Sequence, residues 1–130
     1  MAIVITKRVL SGSVHGAPIS ITATRGAVPT PVHLLSTSAT TTVDEVYIYA
    51  HNDFSATIDL VLEWGISTTA LQMTTPIPGR DGVTLVIPGL ILTGSACSIN
   101  ALVNFNATSS FAASNNLITV TGFVNKLVQT

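Results

Sequence analysis

The chain has 130 residues and a formal net charge of -1; only 8% of its residues are charged, against 47% hydrophobic. Five Lys and Arg side chains cannot neutralise a run of phosphates, so nucleic acid is excluded as a partner. No apolar stretch approaches the ~20 residues of a membrane helix, and a lone cysteine, Cys97, allows no intrachain disulfide. Charged residues usually make up about 25% of a soluble domain. Here Ser and Thr, about a quarter of the chain, take their place. The resulting surface of hydroxyls, amides and backbone suits a protein that lives in an assembly, because Lys and Glu are costly to desolvate at interface cores.

The start, MAIVITKRVL, is apolar first and basic second, the reverse of a secretory signal. The chain is therefore expected to act where it is made, or on a particle assembled there. Residues 2–10 read as a strand with Ile3, Ile5 and Lys7 on one face and Val4, Thr6 and Arg8 on the other. SGSVHGA, 11–17, is a turn-rich break, and PISITATR, 18–25, alternates again. From Gly26 to Thr42, two prolines and a Ser/Thr tract argue against a central strand; this stretch is expected to be an extended arm or an edge segment.

Residues 43–51, VDEVYIYAH, and 56–64, ATIDLVLEW, alternate around a short polar turn and are expected to form a hairpin. Residues 66–75 suggest a short strand ending at Pro76. Two Ile-Pro-Gly triplets, 77–79 and 87–89, bracket a strand at 82–87, and 90–94 and 98–105 read as further strands. NATSSFAASNN, 106–116, is a loop, and LITVTGFVNKLVQ, 117–129, is a long alternating strand. No window has helical periodicity. About eight strands at 8–12-residue spacing specify an all-β fold, an antiparallel β-sandwich of jelly-roll type. One domain, 1–130, is expected, with 43–130 as its core and 1–42 as the arm or edge segment.

The stretch VTLVIPGLIL hardly alternates, unlike IDLVLEWG. Two explanations stay open: an inner strand covered on both faces within the chain, or a strand whose second face meets another subunit.

Catalytic chemistry finds no footing. There is no Gly-x-Ser-x-Gly, and His15, His33 and His51 match no metal-ligand spacing. Asp59 and Glu63 share a strand face but stand about 13 Å apart, too far for a glycosidase pair. GRDG, 79–82, lacks the Gly-Lys-Ser/Thr of a phosphate loop. The chain is read as no enzyme, with no cofactor, metal or small-molecule substrate. Trp64 continues an apolar face and is read as core; Cys97, in SACSI, is read as a small core residue.

The order of a turn like AHNDFSAT, an end like LVLEWG, an apolar LVIPGLIL and a terminal strand like ITVTGFVNKL resembles the capsid decoration, or cement, proteins of tailed bacteriophages. The resemblance covers 43–128. It implies a small β-rich protein, commonly a homotrimer, made in the bacterial cytoplasm. On the outer surface of the capsid it would bridge capsomers of the major capsid protein. It supplies no catalytic residues. From the residues themselves, Arg8, Arg25, Arg80 and Lys126 are candidates for polar contacts with the shell. Phe54 and Phe111 are candidates for loop anchors, and Leu85 and Val86 for a subunit interface. The competing expectations are another virion component (tail, head fibre or baseplate) and a glycan-binding β-sandwich module.

Overall fold

The computed structural model describes residues 2–24, 28–35, 41–66, 71–93, 97–104 and 117–129. Nine strands follow in chain order: β1 (Ile3–Val9), β2 (Ile19–Ser20), β3 (Thr30–Leu35), β4 (Thr42–Asn52), β5 (Ile58–Ile66), β6 (Leu71–Ile77), β7 (Val83–Thr93), β8 (Cys97–Asn104) and β9 (Ile118–Gln129). No helix occurs among the described residues. The first sheet has the order β1-β9-β4-β7, with β2 also pairing with β9; the second has β3-β8-β5-β6. All these pairings are antiparallel.

β1 meets the far half of β9 and β2 its near half, so together they make one interrupted edge. Reading that edge as one strand gives sheets of the type 1-8-3-6 and 2-7-4-5, which is jelly-roll topology. The chain passes from sheet to sheet at nearly every connection. The core lies between the sheets: Val46, Ile48 and Ala50 of β4 and Val120 and Val124 of β9 face Ile58, Leu60 and Leu62 of β5 and Ile99, Ala101 and Val103 of β8. Period-two alternation sends every second residue of the central strands inward, and β4 alternates without a break from Thr42 to Asn52.

Three sequence expectations change. The runs 43–51 and 56–64 do not pair as a hairpin; β4 belongs to the first sheet and β5 to the second. Two strands with one apolar face each can bury those faces by facing one another as readily as by lying side by side. The connection decides, and Asn52 holds it. Its Nδ2 donates to the carbonyls of Ala56 (2.8 Å) and Ile77 (2.9 Å), and its Oδ1 accepts from the Phe54 N–H (2.9 Å). Its own carbonyl accepts from the Arg80 N–H (2.8 Å). The buried carboxamide thus ties β4 to the β5 and β6–β7 connections at one corner.

The segments 82–87 and 90–94 are one strand. β7 runs through Pro88 because it is an edge strand, where a missing N–H interrupts nothing on the open side. Two register shifts against β4, at Val46/Tyr47 and Ile48/Tyr49, absorb Gly89 and Val86 as bulges. Gly89 has φ +99°, a conformation that L side chains rarely adopt. Likewise the short strand expected to end at Pro76 continues through it to Ile77, on the edge of the second sheet.

Of the two alternatives for 26–42, the described part takes the edge segment and not the arm. Thr30–Leu35 forms β3, an edge strand paired with β8, and Val32 and Leu35 sit in the core. Val32 and Leu35 are three residues apart, and the register shift between Pro31 and His33 is what lets both reach the core.

Candidate interaction surface

Strand register places the outward residues of the first sheet in rows, because paired residues of adjacent strands share a face. One row holds Ile5, Leu127, Val43 and Thr93; the next holds Lys7, Asn125, Glu45 and Ile91. Val9, Phe123 and Tyr47 follow, then Thr121, Tyr49 and Leu85, then Thr119, His51 and Val83. Ile5 is 64% exposed, Ile91 52% and Leu85 47%. This is a broad apolar face that no described part of the chain covers.

At its centre the Tyr47 and Phe123 rings stack at 4.8 Å between centroids, 13° from parallel. The Lys7 ammonium sits 4.7 Å above the centre of the Phe123 ring. Asn125 Nδ2 donates to Glu45 Oε1 at 3.0 Å. β9 and β4 approach closely here because residue 122 is glycine: a Cβ at that position would collide with the Tyr47 carbonyl.

The outward face of the second sheet is built differently. Its rows read Asp59, Asn104 and Pro76, then Glu63, Asn100 and Gln72. Gln72 Nε2 donates to Glu63 Oε2 at 2.8 Å. Asp59 and Glu63 are half-buried in this polar surface. Val61 and Leu102, paired in its middle, are apolar and buried; Leu34, beside Ser98 on β3, is the large apolar side chain this face exposes among the described residues, at 48%.

The candidates from sequence fall in three places. Arg8 on β1 and Lys126 on β9 converge on one cleft, together with His33 and Asp44. Leu85 lies on the outward face of the first sheet, at the opposite edge. Val86, its neighbour, is a bulge residue packed against the core. Phe54 also packs against the core and is no exposed anchor, because the Asn52 corner turns it inward. Arg80 is exposed on the β6–β7 connection, with φ 52° and its Nε donating to the Asp53 carbonyl at 3.3 Å. Arg25 and Phe111 lie outside the described residues.

The inner-strand explanation of VTLVIPGLIL fails. β7 is an edge strand; Ile87 and Leu92 enter the core, while Val83, Leu85 and Ile91 point out and stay exposed. Trp64 packs against the core, on the wall of an apolar cleft of about 310 Å³ between β6 and β7.

Sequence reasoning missed one polar cluster. His33, on β3, and Asp44, on β4, are both buried, and His33 Nε2 lies 2.7 Å from Asp44 Oδ2. The Ser11 N–H donates to His33 Nδ1 at 3.0 Å, so the ring proton is on Nε2 and is donated to the carboxylate. Ser11 Oγ accepts from the Leu34 N–H at 2.8 Å. This Ser/His/Asp trio has no nucleophile geometry: the imidazole nitrogen that would take a serine proton already accepts a backbone N–H. It ties the break after β1 to both sheets. Alternation offered a clue, since Asp44 falls on the inward side of β4 with Val46 and Ile48. Cys97, half-buried, packs against the core. Among the described residues, no three His, Cys, Asp or Glu side chains converge as metal ligands. No family model matches the chain, and no curated protein does.

Proposed function

We propose that this chain is a structural virion protein, a decoration protein that trimerises and stabilises a bacteriophage head by bridging capsomers. The observation that carries this reading is the uncovered outward face of the first sheet, with Ile5, Leu85, Ile91, Tyr47 and Phe123. A monomer with so few charges gains little from leaving such a face in water. Jelly rolls serve capsid and lectin domains alike, so topology alone does not choose between them. The composition and the resemblance over 43–128 favour the capsid.

The mechanism is mechanical. Each copy covers apolar area on its neighbours and on the shell, and many copies sum modest contacts into resistance against internal pressure. Light scattering behind a sizing column tests the assembly: the expected mass is three times the 13.5-kDa chain. Sedimentation with undecorated phage capsids tests the function. A chain that stays monomeric and leaves such capsids unbound would end the proposal, and glycan binding would then be measured next.

A further inference from the structure

The sandwich has four sheet edges: the β1–β2 edge and β7 on the first sheet, β3 and β6 on the second. An open edge offers a row of unpaired N–H and C=O groups, and stable proteins blunt it with proline, bulges or short strands. Three edges here are blunted in that way. β3 carries Pro31 and a register shift, β6 carries Pro76, and β7 carries Pro88 with two bulges. β1 has neither. It pairs in unbroken register from Ile3↔Gln129 to Val9↔Phe123, and all seven of its residues are exposed.

Its first half, Ile3-Val4-Ile5, is 62%, 51% and 64% exposed, so apolar side chains stand free on both faces of one strand. The second half holds Lys7 and Arg8, and Thr6 pairs with Lys126. Three of the five cations of the chain therefore gather on this edge. Of the nearby carboxylates, Asp44 stands directly opposite Lys126 and bonds His33 through Oδ2, and Glu45 bonds Asn125, which leaves Lys7 and Arg8 on the edge itself without a hydrogen-bonded carboxylate among the described residues.

We infer that the outer edge of β1 receives an extended strand of a partner protein, one with an acidic pair opposite Lys7 and Arg8 and apolar residues opposite Ile3, Val4 and Ile5. Main-chain hydrogen bonds would supply affinity, and the alternating side chains would supply specificity. In antiparallel pairing the acidic pair comes first in the partner strand and the apolar residues follow. A second copy of β1 fits less well: the register that pairs all seven residues, with Thr6 opposite Thr6, sets Lys7 opposite Ile5 and Arg8 opposite Val4 and gives neither cation a carboxylate. The inference rests on the capsid reading only in naming the shell protein as the owner of that strand.

The probe is the peptide Thr-Glu-Glu-Thr-Val-Ile-Val, with Thr-Lys-Lys-Thr-Val-Ile-Val as its control, each titrated at millimolar concentration into the isotope-labelled wild-type chain. The expected result is amide shifts confined to β1 and its β9 neighbours, with the acidic peptide binding at least about tenfold tighter, as two exposed ion pairs against two repulsions allow. Arg8→Glu should remove most of that preference. Absence of shifts at β1, equal shifts at β3, β6 or β7, or equal binding of the two peptides would overturn the inference. So would a concentration-dependent doubling of mass that Val4→Lys, off the outward face, abolishes, since a second copy would then own the edge. Capsid sedimentation separates the two ideas. Failure of the wild-type chain to bind ends the capsid reading and leaves the edge to the peptide result. Wild-type binding that Arg8→Glu with Val4→Lys, both off the outward face, does not weaken ends the edge inference.

Discussion

The two sheets obey one rule inside and opposite rules outside. Inward, both present Ile, Val, Leu and Ala to a shared core. Outward, the second sheet shows Asp59, Glu63, Gln72, Asn100 and Asn104, whereas the first shows Ile5, Ile91, Leu85, Tyr47 and Phe123. Each outward face carries two charged side chains, Lys7 and Glu45 against Asp59 and Glu63, so the contrast lies in apolar area and not in charge. One side is finished for water, and the other carries apolar area that folding alone leaves uncovered. The edges divide differently: β3, β6 and β7 carry proline, whereas β1 carries only the charges of Lys7 and Arg8.

The comparison holds only while the sheets stay clasped, and Asn52 clasps them where β4 turns toward β5. Asn52→Ala should have the largest effect. It leaves the buried Ile77 carbonyl and the Ala56 carbonyl without their donor and frees the Phe54 N–H. A loss of about 2–3 kcal/mol is expected, since each buried polar group left unpaired costs roughly 1–3 kcal/mol and some regain water. Urea unfolding followed by Trp64 fluorescence measures it. A loss below about 0.5 kcal/mol, the range of an ordinary surface change, would show that the corner is held by other contacts.

Much of this architecture is legible in the sequence, and the misreadings share a cause. Alternation finds β4, β5 and β9 within a residue or two, because a stretch of each keeps an apolar inward side: Val46, Ile48 and Ala50, then Ile58, Leu60 and Leu62, then Ile118 and Val120. What alternation does not encode is which strand lies beside which. The pattern of 43–64 is satisfied equally by a hairpin and by two strands facing across a core, and only the Asn52 carboxamide distinguishes them. Pro88 and Pro76 read as breaks because a proline interrupts a central strand, and whether a strand is central is a property of the sheet. Arg8 and Lys126 were legible as surface cations, but their convergence depends on the pairing of β1 with β9. Phe54 was misplaced because loop residues next to a buried polar pin can be drawn inward.

A second prediction separates the two outward faces directly. Ile91→Ser with Phe123→Ser, on the first sheet, should change unfolding free energy by about 1 kcal/mol or less, since both side chains are already partly in water. The same pair should reduce association sharply, because it removes apolar anchors from the proposed contact. Thr74→Ser with Gln72→Ser, on the second sheet, should change neither quantity measurably. Light scattering over a range of concentrations, paired with urea unfolding, reads both. Equal effects of the two pairs on association would mean that the apolar face is not what the chain uses to assemble.

The smallest effect is also the most local, because Tyr47 lies at the centre of the apolar face and titrates. Its hydrogen bond with Glu45 is the largest cause that raises its pKa above the ordinary 10.0; desolvation and the Glu45 charge add to it. A raised tyrosine favours the neutral hydroxyl in the folded chain, so its contribution to stability is fully present below pH 10 and is lost as pH rises through the folded value. Only two tyrosines are present, so a Tyr49→Phe background leaves Tyr47 as the sole tyrosinate seen by ultraviolet absorbance. Glu45→Gln in that background should lower the midpoint, because the carboxylate that opposes the phenolate is gone. Raising the protein concentration should move the midpoint further up, since a neighbour seated on the face excludes water from the hydroxyl and burial disfavours the charged form. A midpoint independent of concentration, in a range where light scattering shows assembly, would place the subunit contact elsewhere on the molecule, and would leave the first sheet's outward face free for the shell.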